Sequence, residues 1–153
     1  MAPCKDKELL DACKTGKLSE AKHFVSEGAN LNYAAPKSQY TPLMSAIEHN
    51  HTAIINWLMD KPTVDVDRQN RWKNTALHYA AKYSKDGVMV ARLGNMMKKD
   101  IVNLLNQDGK TAAICAVEWD GGNIRAVQGL LSITSVDFNI PDKDGRSLLD
   151  IAR

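Results

Sequence analysis

Aromatic residues are scarce in this sequence, at 6% with only two phenylalanines, and no stretch approaches the roughly 18 uninterrupted apolar residues of a membrane-spanning helix. The N-terminus MAPCKDKELL lacks the apolar core of a secretory signal. These absences point to an intracellular protein, cytoplasmic or nuclear, with no membrane insertion. Cysteine is thin as well. Cys4, Cys13 and Cys115 are odd in number and have neither CxxC spacing nor a histidine in ligand register, which argues for reduced thiols over a disulfide or a zinc site. Charge of one sign is also missing: 20 Lys and Arg face 18 Asp and Glu, a net of +2, which is too close to balance to imply a duplex-binding polycation, and no nucleic-acid partner is expected.

The chain also lacks GxSxG, GxxxxGK[ST], HExxH and any carboxylate pair in an apolar setting. No catalytic residue, cofactor or metal ligand is assigned, and no enzyme activity is expected. The four histidines have plain structural explanations, with His78 expected to fasten backbone and hydroxyl groups, His51 to follow a helix break, and His23 and His49 to lie at the surface.

What the sequence does have is a repeat. Ala12, Ala46, Ala80, Ala116 and Ala152 are spaced 34, 34, 36 and 36 residues apart. Thr41, Thr75, Thr111 and Ser147 keep step, each five positions ahead of its alanine and each opening an apolar run (TPLMSAIEHN, TALHYAAKYS, TAAICAVEWD, SLLDIA). Thr and Ser are N-caps, and Pro42 suits a first turn, so each run predicts a short helix. Second runs follow from Leu18, Thr52 and Ile124, after breaks at Gly16, Asn50 and Gly122, where a left-handed backbone is accessible. Polar connectors (GANLN, DVDRQNRWKN, NLLNQDGK, DFNIPDKDGR) predict extended fingers, two of them with Asp-Gly tips.

The alanines are expected to be buried where helices approach closely. Leu43, Ile47, Ile54, Ile55, Leu58, Leu77, Ile101, Val127, Leu130 and Leu131, with Trp57, are expected to form the core. The segment Ser84–Lys99 departs from the repeat. Its helix is expected to be shifted, longer or irregular, and its charges with Met89, Met96 and Met97 read as a solvated loop or an adaptable docking element.

TPL with its following alanine, TALHYAA, GANLN and DKDG together resemble the ankyrin repeats, over about residues 6 to 153. Lys61-Pro62-Thr63-Val64 departs from that pattern, standing where the family usually has Gly-Ala. The resemblance implies an all-α ankyrin-repeat solenoid of about four helix-loop-helix repeats with β-turn fingers and the start of a fifth. Residues 1–153 then form a single, monomeric domain, with repeats at approximately 6–38, 39–72, 73–108, 109–144 and a partial 145–153. Leu148, Leu149 and Ile151 would lack a partner helix, as in a fragment or a half-cap.

In ankyrin-like geometry the exposed first-helix positions hold Ser45, Glu48 and His49; Tyr79, Lys82 and Tyr83; Cys115, Glu118 and Trp119. Fingers add Tyr40 and Trp72, the latter flanked by Arg68, Arg71 and Lys73. The implied function is a protein-protein interaction scaffold, gripping a peptide or protein across finger tips and concave helix face. Its aromatic and acidic residues suit a Lys/Arg-rich segment. The alternative is a module that positions a larger multidomain enzyme or signalling protein. A narrower reading is that Tyr40, Glu48 and Tyr79 are similar to the cage with which ankyrin repeats of euchromatic histone methyltransferases hold methylated lysine, although Ser45 stands where that cage has another aromatic. Asn139, with Asp137 and Leu131 upstream, resembles the family's asparagine-hydroxylation acceptor, and Asn103 does so less closely; the plain alternative for both is a residue that ties the finger together.

Overall fold

The computed structural model describes residues 4–153, with no strands and ten α-helices among them. The chain divides into two compact units, one ending at Asp65 and the other beginning at Val66.

The first unit holds α1 (Lys5–Thr15), α2 (Leu18–Ser26), α3 (Pro42–Glu48) and α4 (Thr52–Met59). Helices α1 and α3 pack side by side, as do α2 and α4, and each first helix lies against its own second helix. Left-handed residues make the reversals, Gly16 at φ 79° and Asn50 at φ 55°. Leu9, Leu43, Ile47, Ile54 and Leu58 fill the interior, each contributing roughly 1.5–3 kcal/mol by leaving water.

In the second unit α5 (Ala76–Tyr83), α8 (Ala112–Glu118) and α10 (Leu148–Ala152) are the first helices, and α6 (Gly87–Met96) and α9 (Ile124–Leu131) lie behind them. A short α7 (Lys99–Val102) leads into the next finger. Helices α6 and α9 approach at glycines, since a Cβ on Gly129 would strike the Gly87 carbonyl oxygen. Asn123 caps α9 and donates to the Ala81 and Ser84 carbonyls at 3.1 and 2.9 Å, serving acceptors that the end of α5 leaves open.

All four expected caps form: Thr41, Thr75, Thr111 and Ser147 accept from the backbone N–H three residues on. Ala46, Ala80 and Ala116 are fully buried. The segment after Ser84 is a shifted, longer helix, as one reading had it, and not a solvated loop. Asp86 caps it through Val88 and Met89, and Met89, Val90, Leu93 and Met97 are buried on one face, leaving Met96 exposed. Four core assignments are corrected. Leu131 is 65% exposed, because Ala126, Gly129 and Leu130 form the buried face of α9 and the next residue turns about 100° away. Ile101 and Val127 are half-buried, and so is Trp57, with the Lys61 ammonium 5.5 Å from its ring centroid.

His78 fastens two repeats of the second unit. Its Nε2–H donates to the Lys110 carbonyl at 3.0 Å, while Nδ1 accepts from the Thr75 backbone N–H at 3.1 Å. A carbonyl can only accept, so the neutral Nε2–H tautomer is the one that satisfies both bonds. Burial pushes this imidazole down to about pKa 4, opposed only in part by the bond to Lys110. A histidine in the unfolded chain titrates near 6.5, so the unfolded state takes up the proton first. Stability from this group is complete above about pH 6.5 and declines as the pH falls toward 4, by about 2–3 kcal/mol at pH 4.5. Urea unfolding at pH 7.5 and 4.5 should show this loss, and a His78→Gln variant, weaker at neutral pH, should show a flatter dependence. Equal slopes would count against the assignment.

Candidate partner-binding face

Three buried residues, Asn70, Asn106 and Asp142, shape the fingers of the second unit, each standing five positions before its helix cap. The side-chain oxygen of Asn70 accepts from the N–H groups of Trp72 and Asn74, both at 3.0 Å. Asn106 does the same for Asp108 and Lys110, and Asp142 for Asp144 and Arg146. Each finger thereby closes a tight tip, with Lys73, Gly109 and Gly145 at φ 58°, 73° and 77°. Lys73 occupies a left-handed position that its neighbours give to glycine. Neighbouring fingers are tied together: Gln107 N–H donates to the Trp72 carbonyl at 2.9 Å, and Lys143 N–H to Gly109 at 3.2 Å. The Arg146 backbone N–H and guanidinium hold the Asp142 carboxyl below its usual range.

On this frame Trp72 is 44% exposed and Trp119 40% exposed, and Arg68 and Arg71 lie exposed on the same finger as Trp72. Tyr79, Tyr83 and Trp119 form a row. The two tyrosines stack at 6.3 Å between centroids, and Trp119 meets Tyr83 edge-on at 5.1 Å. The Lys82 ammonium lies 5.2 Å from the Trp119 ring centroid. Glu118, half-buried, pairs with Lys110 and reaches Arg146 at 3.4 Å. The bond to Glu118 raises the Lys110 pKa. A cavity of 180 Å³ opens here, lined by Lys82, Asp108, Lys110, Cys115, Glu118 and Trp119. The Cys115 thiol, buried, is pushed up to about 11 and stays protonated.

Three residues expected at the surface are not there. Tyr79 is 6% exposed, and its hydroxyl accepts from the Asn70 side chain at 2.8 Å, so the finger amide covers it. Ser45 and Cys115, one position before their alanines, are also buried, and the Asn106 amide lies 3.9 Å from the Cys115 sulfur, so this position turns under the finger there as well. Tyr40 and Glu48 belong to the first unit, where with Leu10, Asp11, Lys14, Ser38, Ser45 and His49 they line a separate cavity of 260 Å³. Asn103 ties fingers at both ends of its amide, accepting from Asp137 N–H and donating to the Ser135 carbonyl, both at 2.8 Å. Asn139 is exposed, with its backbone N–H on Asp137. The tie residues Asn70, Asn106, Asp142 and Asn123 were not singled out in the sequence. The first three were legible in their spacing of 36 residues.

Residues 9–59 and 43–93 match a family model described as ankyrin repeats (many copies). The chain is also 31% identical over 102 residues to protein lin-12 of Caenorhabditis elegans, an alignment covering 67% of this chain and 7% of that relative. The chain thus spans only a small part of that relative's length.

The finger ties should carry measurable stability. Asn70→Ala leaves two finger N–H groups without their acceptor, and Tyr79→Phe removes the partner of the Asn70 amide; each should cost on the order of 1–3 kcal/mol, the former more. Asn139→Ala should stay within about 0.5 kcal/mol of the parent protein. Urea unfolding of the three variants checks the order.

Proposed function

We propose that this chain, which belongs to the ankyrin-repeat family, is a protein-protein interaction scaffold whose second unit grips a protein segment with its finger tips and first-helix face. Ankyrin repeats are in general protein-protein interaction modules. The observation that carries the reading is the pair of exposed indoles, Trp72 on a hydrogen-bonded finger and Trp119 at the end of α8, the latter packed into an aromatic row with Tyr83 and Tyr79. Exposed aromatics on a rigid support are the usual anchors of binding surfaces, because little conformational freedom is lost when they are covered. Arg68, Arg71, Lys82, Tyr83 and Glu118 surround these anchors, and Tyr79 contributes from beneath by fixing Asn70.

A Lys/Arg-rich partner finds support in the first unit, where Glu48 forms no ion pair among the described residues and shares a cavity with Tyr40 and Asp11. In the second unit Glu118 is already engaged by Lys110 and Arg146. The methyl-lysine alternative needs the Tyr79 ring at the surface, and its burial speaks against it. Asn139, exposed on its finger, remains the candidate for hydroxylation. The alternative in which these repeats position a larger enzyme or signalling protein is compatible with the same face. No helix among the described residues is long and apolar enough to cross a membrane.

Affinity capture with the 153-residue chain beside a Trp72→Ala, Trp119→Ala variant tests the face. Captured partners should fall about tenfold or more, since each anchor is worth about 2 kcal/mol. Partners retained in full by a variant with unchanged circular dichroism would refute it. The same reading takes residues 1–153 as one domain of four repeats and a partial fifth, so thermal unfolding should proceed in a single cooperative transition, and two resolved transitions would divide it.

A further inference from the structure

We propose that the cavity beside Trp119 receives an acidic side chain, Asp or Glu, of the bound protein segment, and that Lys82 is the residue that reads it. This rests on the partner-binding reading above and specifies the chemistry of that same face.

The lining of the 180 Å³ cavity brings two cations, Lys82 and Lys110, together with two carboxylates, Asp108 and Glu118. Their engagements differ. Lys110 is bonded to Glu118, and Arg146 reaches the same carboxylate at 3.4 Å while holding Asp142 at 2.7 Å. Glu118 therefore sits between two cations and has little attraction left for a third. Lys82 has no carboxylate within ion-pair distance among the described residues. Its ammonium rests over the Trp119 ring at 5.2 Å. Contact with an indole face is a weaker hold on an ammonium than a charge-assisted hydrogen bond to a carboxylate. Lys82 is also half-buried on α5, so water compensates its charge only in part. A carboxylate entering the cavity gains a cation that no internal acid has claimed, and Lys82 gains its strongest partner by leaving the ring. The vacated indole face then becomes available to an apolar neighbour of that acid.

The surroundings carry the same sign. Arg71, Lys73 and Lys143 are exposed on the fingers of this unit and form no ion pair among the described residues. Asp144, on the third finger, lies 3.9 Å from Arg146. The surplus is positive where the partner arrives, which steers an acidic segment toward the face. Asp108, Glu118, Asp142 and Asp144 are interleaved with these cations. A continuous phosphodiester chain would meet each of them, whereas a polypeptide can place single carboxylates between them.

The test is a selection of random phage-displayed peptides at physiological salt on the whole chain, on Lys82→Glu, on the more conservative Lys82→Gln, and on the Trp72→Ala, Trp119→Ala protein. Peptides selected on the unaltered chain should share at least one acidic position. The best of them, made synthetically, should bind Lys82→Gln and Lys82→Glu about tenfold more weakly or worse, and its Glu→Gln counterpart should bind all three proteins alike. Peptides that require both tryptophans but show no acidic position would overturn this inference and leave the binding face standing. Peptides indifferent to both tryptophans would overturn the face as well. Tighter binding of a short single-stranded oligonucleotide than of any selected peptide, lost in Lys82→Glu, would overturn the choice of a protein segment.

Discussion

Ala46, Ala80 and Ala116 have no side-chain atom beyond Cβ at the places where first helices meet their neighbours, and all three are fully buried. The helices on which they lie are only seven or eight residues long, too short to persist alone in water. They exist because they are pressed together, and a larger residue at an alanine would overpack the contact by about 1–3 kcal/mol. The N-caps, the finger amides and the placement of Trp119 against Tyr83 all presuppose that approach. Within the second unit, the α5 and α8 contact sets where Lys82, Glu118 and the aromatic row can meet.

Much of this frame was legible in the sequence, for identifiable reasons. A hydroxyl five residues ahead of an alanine, repeated four times, marks helix starts by local hydrogen-bond chemistry, and all four caps formed. Gly16, Asn50 and Gly122 could be read because positive φ narrows the choice of residue. His78 could be read because its neighbours in sequence supply half of its bonds. Leu131 shows the limit of periodicity, which finds a helix but does not say how far its apolar arc is covered. The stretch after Ser84 was ambiguous because all of its charges but Arg92 sit just beyond the ends of a real helix, so the same residues suit a loop until Met89, Val90, Leu93 and Met97 are seen to share a face.

The candidate site was less legible, since its character depends on which groups have already found one another. Tyr79, Ser45 and Cys115 occupy equivalent positions that helical geometry alone would turn outward, and for Tyr79 and Cys115 the cover is a finger amide nine residues earlier, Asn70 and Asn106, a separation that lies outside the helical period. Glu118 looks like an unengaged acid in a linear reading, but three-dimensional neighbours from two fingers neutralise it. Lys82 is the reverse case, a residue of ordinary appearance whose lack of a carboxylate partner among the described residues emerges only in the folded chain.

The bonds that join one repeat to the next within the second unit span short stretches of chain. His78 to Lys110 and Asn74 to Asn106 each cross 32 residues, and Asn123 to Ala81 crosses 42. The entropy of closing such loops grows only with the logarithm of their length. A chain leaving the ribosome therefore needs to expose scarcely more than one further period before the preceding helix pair can be locked. The order of synthesis can then serve as the order of assembly, with little time for a half-made apolar face to stand open.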